Sequence, residues 1–424
     1  MGNLDYTQVL NKIENTRRFG NEPGVVVTAQ VIKVLREKGK QKRIIPYIHV
    51  AGTNGKGSVC AFFSSILKKE HMRVGTFVSP HLVDFEERIT VDGRMIPKED
   101  VTRLGNYLLD IDFGIGLTMF DYCLAMALLY FEEQQCDYMV IETGLGGRLD
   151  STNAIGTPQC AVITKIGYDH MAILGSDIAD IAAEKAGIIK ENGTVVVAQQ
   201  DKRAMQVIEQ EAQKKHARII TVEQSDIARC SGYALRLCGT FQWENAAAAE
   251  LAARYVLGKR YGGPEYEMQY DKTEPKREET DLNKRIKSAL EEAVWPGRME
   301  IVSKEPFLLV DGAHNSNGVD ALKESLMQMY PGEKFCFFMG VMADKDYDVM
   351  IREILPLAEE FYTVTPDSDR ALQASHLADF IRKEGVEATE LSGVDEIRKH
   401  LKRDTKNVAF GSLYFIGELK QHRI

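Results

Sequence analysis

The chain has 424 residues, too many for one ordinary core, and its 44% hydrophobic and 27% charged residues are typical of a globular protein built from two or three domains. A net charge of −9 argues against a surface made for nucleic acid, and there is no run of about eighteen apolar residues to span a membrane. Seven scattered cysteines without a C-x-x-C pair argue against zinc or a disulfide framework, and the start lacks the basic-then-apolar pattern of a signal peptide. The expectation is a cytoplasmic protein.

Short β-branched runs at Ile44–Ala51, Arg73–Val78, Tyr138–Glu142, Ala161–Ile166 and Thr194–Ala198 read as strands buried on both faces. Stretches of helical spacing lie between them, at Gly57–Lys69, Phe120–Gln134 and Asp201–Lys215. This alternation predicts an α/β fold with a mostly parallel sheet. Gly258–Asp281, rich in Gly, Tyr, Lys and Glu, cannot bury a core and reads as an insertion or connector. A helical stretch, Leu282–Ala293, leads to the Pro296-Gly297 hinge. Strand-like runs then resume at Phe307–Asp311, Lys334–Val341, Glu360–Val364, Ala388–Leu391 and Asn407–Phe410. The predicted division is a larger α/β domain over 1–298, carrying the insertion 258–281, and a smaller Rossmann-like α/β domain over 299–424.

The sharpest chemical signal is Gly52-Thr53-Asn54-Gly55-Lys56-Gly57-Ser58, placed after an apolar strand and before a helix. Glycines let successive N–H groups face an anion, and the helix contributes the positive end of its dipole. Lys56 can reach terminal phosphates and Ser58 can touch Mg²⁺. It is not a strict Walker A loop, which needs Gly at Val50 and Ser or Thr at Gly57. Glu142 ends an apolar strand at the edge where ligands bind a parallel sheet, and its carboxylate suits Mg²⁺.

Four further segments join the loop: Ser79-Pro80-His81-Leu82 ahead of Glu87-Arg88-Ile89; Glu142-Thr143-Gly144-Leu145-Gly146-Gly147-Arg148-Leu149-Asp150; Asp169-His170 ahead of Glu184-Lys185-Ala186-Gly187; and Asp311-Gly312-Ala313-His314-Asn315. With the closing Gly411-Ser412-Leu413-Tyr414, this ordered set resembles the folylpolyglutamate synthase and dihydrofolate synthase branch of the Mur-ligase superfamily. The resemblance implies that Thr53, Asn54, Gly55, Lys56, Gly57, Ser58, Asn245, Arg298 and Asp311 bind ATP. It implies Ser58, Ser79, Glu142, His170 and Lys185 as the metal set, and Lys56, Lys185 and His314 as catalytic. Ser79, His81, Thr118, Phe120, Asp121, Asp150, Ser151 and Thr152 are implied to hold the folate or pteroate. It further implies carbamylation of Lys185, ATP and Mg²⁺ as cofactors with K⁺ as a further cation, and a monomer acting on small molecules.

The implied reaction passes the γ-phosphate of ATP to a carboxylate of the pterin-bearing substrate, and the amino group of L-glutamate then attacks the acyl phosphate. Dihydropteroate and a reduced folate both stand open as acceptors. Two rivals are a peptidoglycan-type Mur ligase, which generally carries an extra N-terminal domain, and an inactive nucleotide-binding module, which would show decay at Lys56, Glu142, His170 or Asp311. One departure bears on the acceptor: relatives usually carry a P-G-L-E-R-like segment, whereas here Pro23-Gly24 is followed by Val25-Val26-Val27-Thr28. Likewise, Phe241 precedes Gln242 where a histidine is common.

Overall fold

The computed structural model describes residues 3–16, 20–261 and 281–422. Of the expected insertion, residues 262–280 lie outside the described residues, while Gly258–Tyr261 complete the helix Phe241–Tyr261 and Asp281 opens the helix Asp281–Glu292. The described residues form two compact units. The first runs to Ala234 and resumes over Glu244–Ala293; the second comprises Leu235–Trp243 and the chain from Val294 onward. Sequence reading gave the whole stretch up to 298 to the first unit. Leu235–Trp243 clusters with the second because Cys238 and Phe241 pack on a core that includes Met299, Leu309 and Phe337.

The sheet of the first unit contains β1 (Tyr47–Ala51), β2 (Val74–Phe77), β3 (Ile89–Val91), β4 (Arg94–Met95), β5 (Tyr138–Glu142), β6 (Cys160–Ile163), β7 (Thr194–Val197) and β8 (Arg218–Thr221). Their order is β4-β3-β2-β5-β1-β6-β7-β8. Pairing is parallel from β2 to β8, while β3 and β4 add an antiparallel hairpin. Every residue of β1 and β5 is buried, as expected where helices cover both faces. Because β1 lies between β5 and β6, the loops after these three strands emerge side by side at the carboxyl edge. Glu142 pairs in register with Val50, two residues before Gly52, which sets its carboxylate at the level of the glycine-rich loop.

The second unit holds β9 (Glu300–Lys304), β10 (Phe307–Val310), β11 (Phe335–Met339), β12 (Ala358–Thr363), β13 (Ala388–Glu390) and β14 (Lys406–Phe410), in the order β13-β12-β11-β14-β10-β9. All pairs are parallel except β9 with β10. A dense aromatic centre, Phe335, Phe337, Phe361 and Phe410, fills its core. The fold class is thus the mostly parallel α/β arrangement read from sequence. Strands β3, β4, β8 and β9 are additions to that reading.

Candidate active site

The loop after β1 is built by its glycines and anchored from β6. Gly55 has φ +89°, a left-handed conformation that an L side chain resists, and it starts the helix Lys56–Lys69. A Cβ at Gly55 would also stand 2.3 Å from Asn245 Oδ1, so the side-chain amide of Asn245 lies directly against the loop. The Thr53 and Asn54 amides both donate to Lys165 O, and the Thr53 hydroxyl is shared with Gly167 N and O at 3.0 Å each. Thr53 therefore spends its hydroxyl on shaping the loop. The first amides of the helix remain outside its hydrogen-bond ladder and face the site, with Ser58 buried in the first turn.

Three implied residues converge on this loop. Lys56 Nζ donates to Gly52 O and Thr53 O, and it lies 3.9 Å from Glu142 Oε1. Glu142 is buried at the end of β5, and its Oε2 accepts from the backbone N–H of Ser79 at 3.2 Å. Lys185, on the helix Ile178–Ala186, is only 4% exposed and donates from Nζ to Gly52 O at 2.8 Å. Burial drives the Lys185 pKa down to about 7; the Lys56 charge pushes the same way, and Asp169, Asp150 and Glu184 oppose it. His170 caps the short helix Met171–Leu174 in a left-handed conformation, φ 52°, with its ring 40% exposed and Nε2 4.0 Å from Asp169.

The segment implied to hold the acceptor is bonded largely to itself. Asp121 is buried. Its Oδ2 accepts from Thr118 N and Oγ1, and its Oδ1 accepts from Ser151 Oγ at 2.6 Å and Thr28 Oγ1 at 3.5 Å. Asp150 accepts from Leu145 N, Thr152 N and Thr152 Oγ1. Its burial raises the carboxyl pKa, and these bonds pull it back. These carboxylates thus set the shape of the segment. Phe120 is half-buried, edge-on to Phe77 with ring centroids 5.4 Å apart, and its ring lies against Gly144. His81 Nδ1 accepts from Arg88 Nε at 2.8 Å, and burial with the Arg88 charge lowers its pKa to about 4, so it is neutral at pH 7. Despite lacking the Glu-Arg pair, the Pro23-Gly24 turn docks here: Val25 N donates to Leu149 O, and a Cβ on Gly24 would strike Ser151 Oγ at 2.3 Å.

The second unit gathers its own set. Asp311, at the end of β10, accepts from Met299 N and Ala313 N at 2.8 Å each; burial raises its pKa and Arg298 opposes the rise. A Cβ on Gly312 would meet Arg298 Nη1 at 1.8 Å, so the guanidinium lies across Gly312. His314 Nδ1 donates to Gly312 O at 2.8 Å. Sequence reading missed His49, a fully buried histidine within β1 whose Nε2 lies 2.7 Å from Thr152 Oγ1. Its partner is 103 residues away, and no local motif marks the pair.

The Mur ligase middle domain family matches residues 50–253, and the Mur ligase glutamate ligase domain matches residues 297–410. The chain is 33% identical to the dihydrofolate synthase/folylpolyglutamate synthase of Bacillus subtilis, covering 98% of each. It is 30% identical to the folylpolyglutamate synthase of Lacticaseibacillus casei, covering 87% of each. Among solved structures it superposes on E. coli FolC in complex with DHPP and ADP with a TM-score of 0.80 at 26% identity, covering 99% of this chain and 97% of that one. The Yersinia pestis bifunctional folylpolyglutamate synthase/dihydrofolate synthase complexed with AMPPNP and Mn ion gives 0.82 at 25% identity, covering 99% of this chain and 98% of that one.

Proposed function

The chain belongs to the dihydrofolate synthase/folylpolyglutamate synthase family of Mur-type ligases, and from that premise we propose that it joins L-glutamate to folates at the expense of ATP. In the first step a carboxylate oxygen of the folate attacks the γ-phosphorus, forming an acyl phosphate as ADP leaves. The glutamate amine then attacks the acyl carbon, a C–N bond forms, phosphate departs and the amine loses its proton. The observation that carries this reading is the meeting of Lys56, Glu142 and Lys185 at the glycine-rich loop.

Lys56, held on carbonyls of the glycine-rich loop beside Glu142, would neutralise charge on the transferring group. Arg298 offers paired donors for phosphate, and Asp311 offers carboxylate oxygens for a ribose hydroxyl. His314, beside them in sequence, is proposed to act on the reacting groups. The donor chemistry fits Mg²⁺, which takes one or two carboxylates and keeps several waters: Glu142 is a single buried carboxylate, and no cluster of three His, Cys, Asp or Glu among the described residues offers a complete protein cage. Ser58, Ser79, Glu142 and His170 would hold the ion with Lys185 once carbamylated. When bound, Mg²⁺ supplies charge stabilisation to phosphoryl transfer. Carbamylation of Lys185 is supported by its depressed pKa: a neutral amine can attack CO₂, releasing a proton and turning a buried cation into an anion.

Both dihydropteroate and reduced folates are proposed acceptors, supported by relatives named for both activities. K⁺ as a further cation and a monomeric, cytoplasmic state belong to the same reading. No helix among the described residues is long and apolar enough to cross a membrane. Lys56, Glu142, His170 and Asp311 are all present in the sequence, which favours an active ligase over an inactive nucleotide module. The test is ADP release assayed with ATP, Mg²⁺ and glutamate, with and without each acceptor. Turnover that depends on an acceptor supports the reading, and ATP hydrolysis indifferent to both acceptors removes it.

A further inference from the structure

His49 sits in the middle of β1, flanked by apolar neighbours and completely buried, three residues before Gly52. An imidazole at such a place loses its hydration, and a shape-filling role would be served as well by an apolar side chain. Its Nε2 lies 2.7 Å from Thr152 Oγ1, and the same hydroxyl contacts Asp150 Oδ1. A threonine hydroxyl has a single proton. A carboxylate can only accept, so that proton goes to Asp150, and Oγ1 must accept from His49. This assigns the tautomer: Nε2 carries the proton and Nδ1 is bare. Nδ1 finds no hydrogen-bond partner among the described residues. Burial, helped by the Lys190 charge, lowers the imidazole pKa to about 3, so the ring stays neutral and a single donor at neutral pH.

The bond runs between two parts of the proposed chemistry. Asp150 also accepts from Leu145 N and Thr152 N, and its neighbour Ser151 is tied to Asp121. The hydrogen-bond series His49, Thr152, Asp150 is therefore a side-chain link from the strand carrying the phosphate loop to the turn Leu145–Thr152, beside the turn's bonds to Val25, Glu184 and Asp121. We propose that His49 is a positioning residue for the acceptor: by donating from Nε2 to Thr152 Oγ1 it holds the Asp150–Thr152 turn in the conformation that receives the folate or pteroate. This rests on the proposed acceptor site, and it adds a residue that touches neither substrate nor phosphate.

The test uses the full-length chain and steady-state kinetics with separate titrations of folate and ATP. His49→Phe keeps an aromatic ring and removes the donor. It should raise KM for the acceptor about tenfold and leave KM for ATP within about twofold. His49→Gln places an amide N–H at similar reach and should bring the acceptor KM back to within about threefold of wild type. Thr152→Val removes this bond from its other end, together with the hydroxyl's bond to Asp150, at nearly constant volume. It should raise the acceptor KM at least as much as His49→Phe does, and an unchanged acceptor KM there decides against the role even if His49→Phe does not fold. The double variant should be no worse than Thr152→Val alone, since that change already removes the His49 bond. Equal rises in both KM values, failure of Gln to restore, or an unchanged acceptor KM in Thr152→Val would overturn the positioning role. Wild-type protein without acceptor-dependent turnover would instead overturn the ligase reading, so the two failures are distinct.

Discussion

Lys185 Nζ stands 2.8 Å from the backbone oxygen of Gly52, so a lysine on the helix Ile178–Ala186 holds the first residue of the phosphate loop. That contact places a buried cation beside a second one, Lys56, and the two together make the site a poor host for a permanent ammonium.

The consequence for stability has a definite sign. The folded-state pKa of Lys185, about 7, lies below the ordinary lysine value of 10.5. Between those two values the unfolded chain binds the extra proton, so stability rises with pH through this window and the penalty is complete below pH 7. In CO₂-free buffer, Lys185→Met should therefore melt higher than wild type at pH 6, and the difference should shrink steadily towards pH 10. A melting difference that stays constant across that range would show that the lysine is not forced towards neutrality. Activity should be lost in the variant at every pH.

Lys56→Ala removes the cation proposed to meet the transferring phosphate. Turnover should fall by at least about a hundredfold, comparable with loss of one preorganised charge-stabilising donor. The melting temperature should move little, because Lys56 makes two hydrogen bonds to carbonyls of its own loop and only a long 3.9 Å ion pair with Glu142, and its removal also relieves the repulsion on Lys185. Turnover within a few-fold of wild type in a folded variant would remove Lys56 from the chemistry.

Phe120 separates packing from binding. Its ring lies against Gly144 and edge-on to Phe77, yet it is only half-buried. Phe120→Ala should raise KM for the folate acceptor about tenfold, roughly 1.4 kcal/mol of lost binding, with KM for ATP nearly unchanged. A large drop in melting temperature with both constants unchanged would return Phe120 to the core.

Much of this was legible in the sequence, for stated physical reasons. Fully buried parallel strands such as Tyr138–Glu142 have no polar face, so they announce themselves as unbroken apolar runs. The loop at Gly52–Ser58 is written in consecutive residues. Strand β8, R-I-I-T, is exposed at both ends and carries no such run. The β3–β4 hairpin did leave a signal: Asp92-Gly93 between Ile89–Val91 and Arg94–Met95 is a turn dipeptide, and both residues have positive φ. His49 and the Leu235–Trp243 segment left none, because each is defined by partners remote in sequence.

In the second unit, Gly312 is required by its neighbour. A methyl group there would overlap Arg298 Nη1 at 1.8 Å and Leu413 Cδ2 at 2.4 Å. Gly312→Ala should displace the guanidinium and raise KM for ATP about tenfold while sparing KM for the acceptor. Gly393→Ala, at an extended glycine with nothing within 4 Å, is the control and should behave as wild type. Equal kinetics for the two variants would detach Arg298 from ATP.

The central claim is tested most directly by following ADP release and the mass of the folate together, in one reaction containing ATP, Mg²⁺, L-glutamate and a reduced folate. The account predicts one ADP for each glutamyl residue added, with both signals abolished when either the folate or glutamate is omitted. ADP formed at the same rate without folate, or a folate whose mass never increases while ADP accumulates, would contradict it.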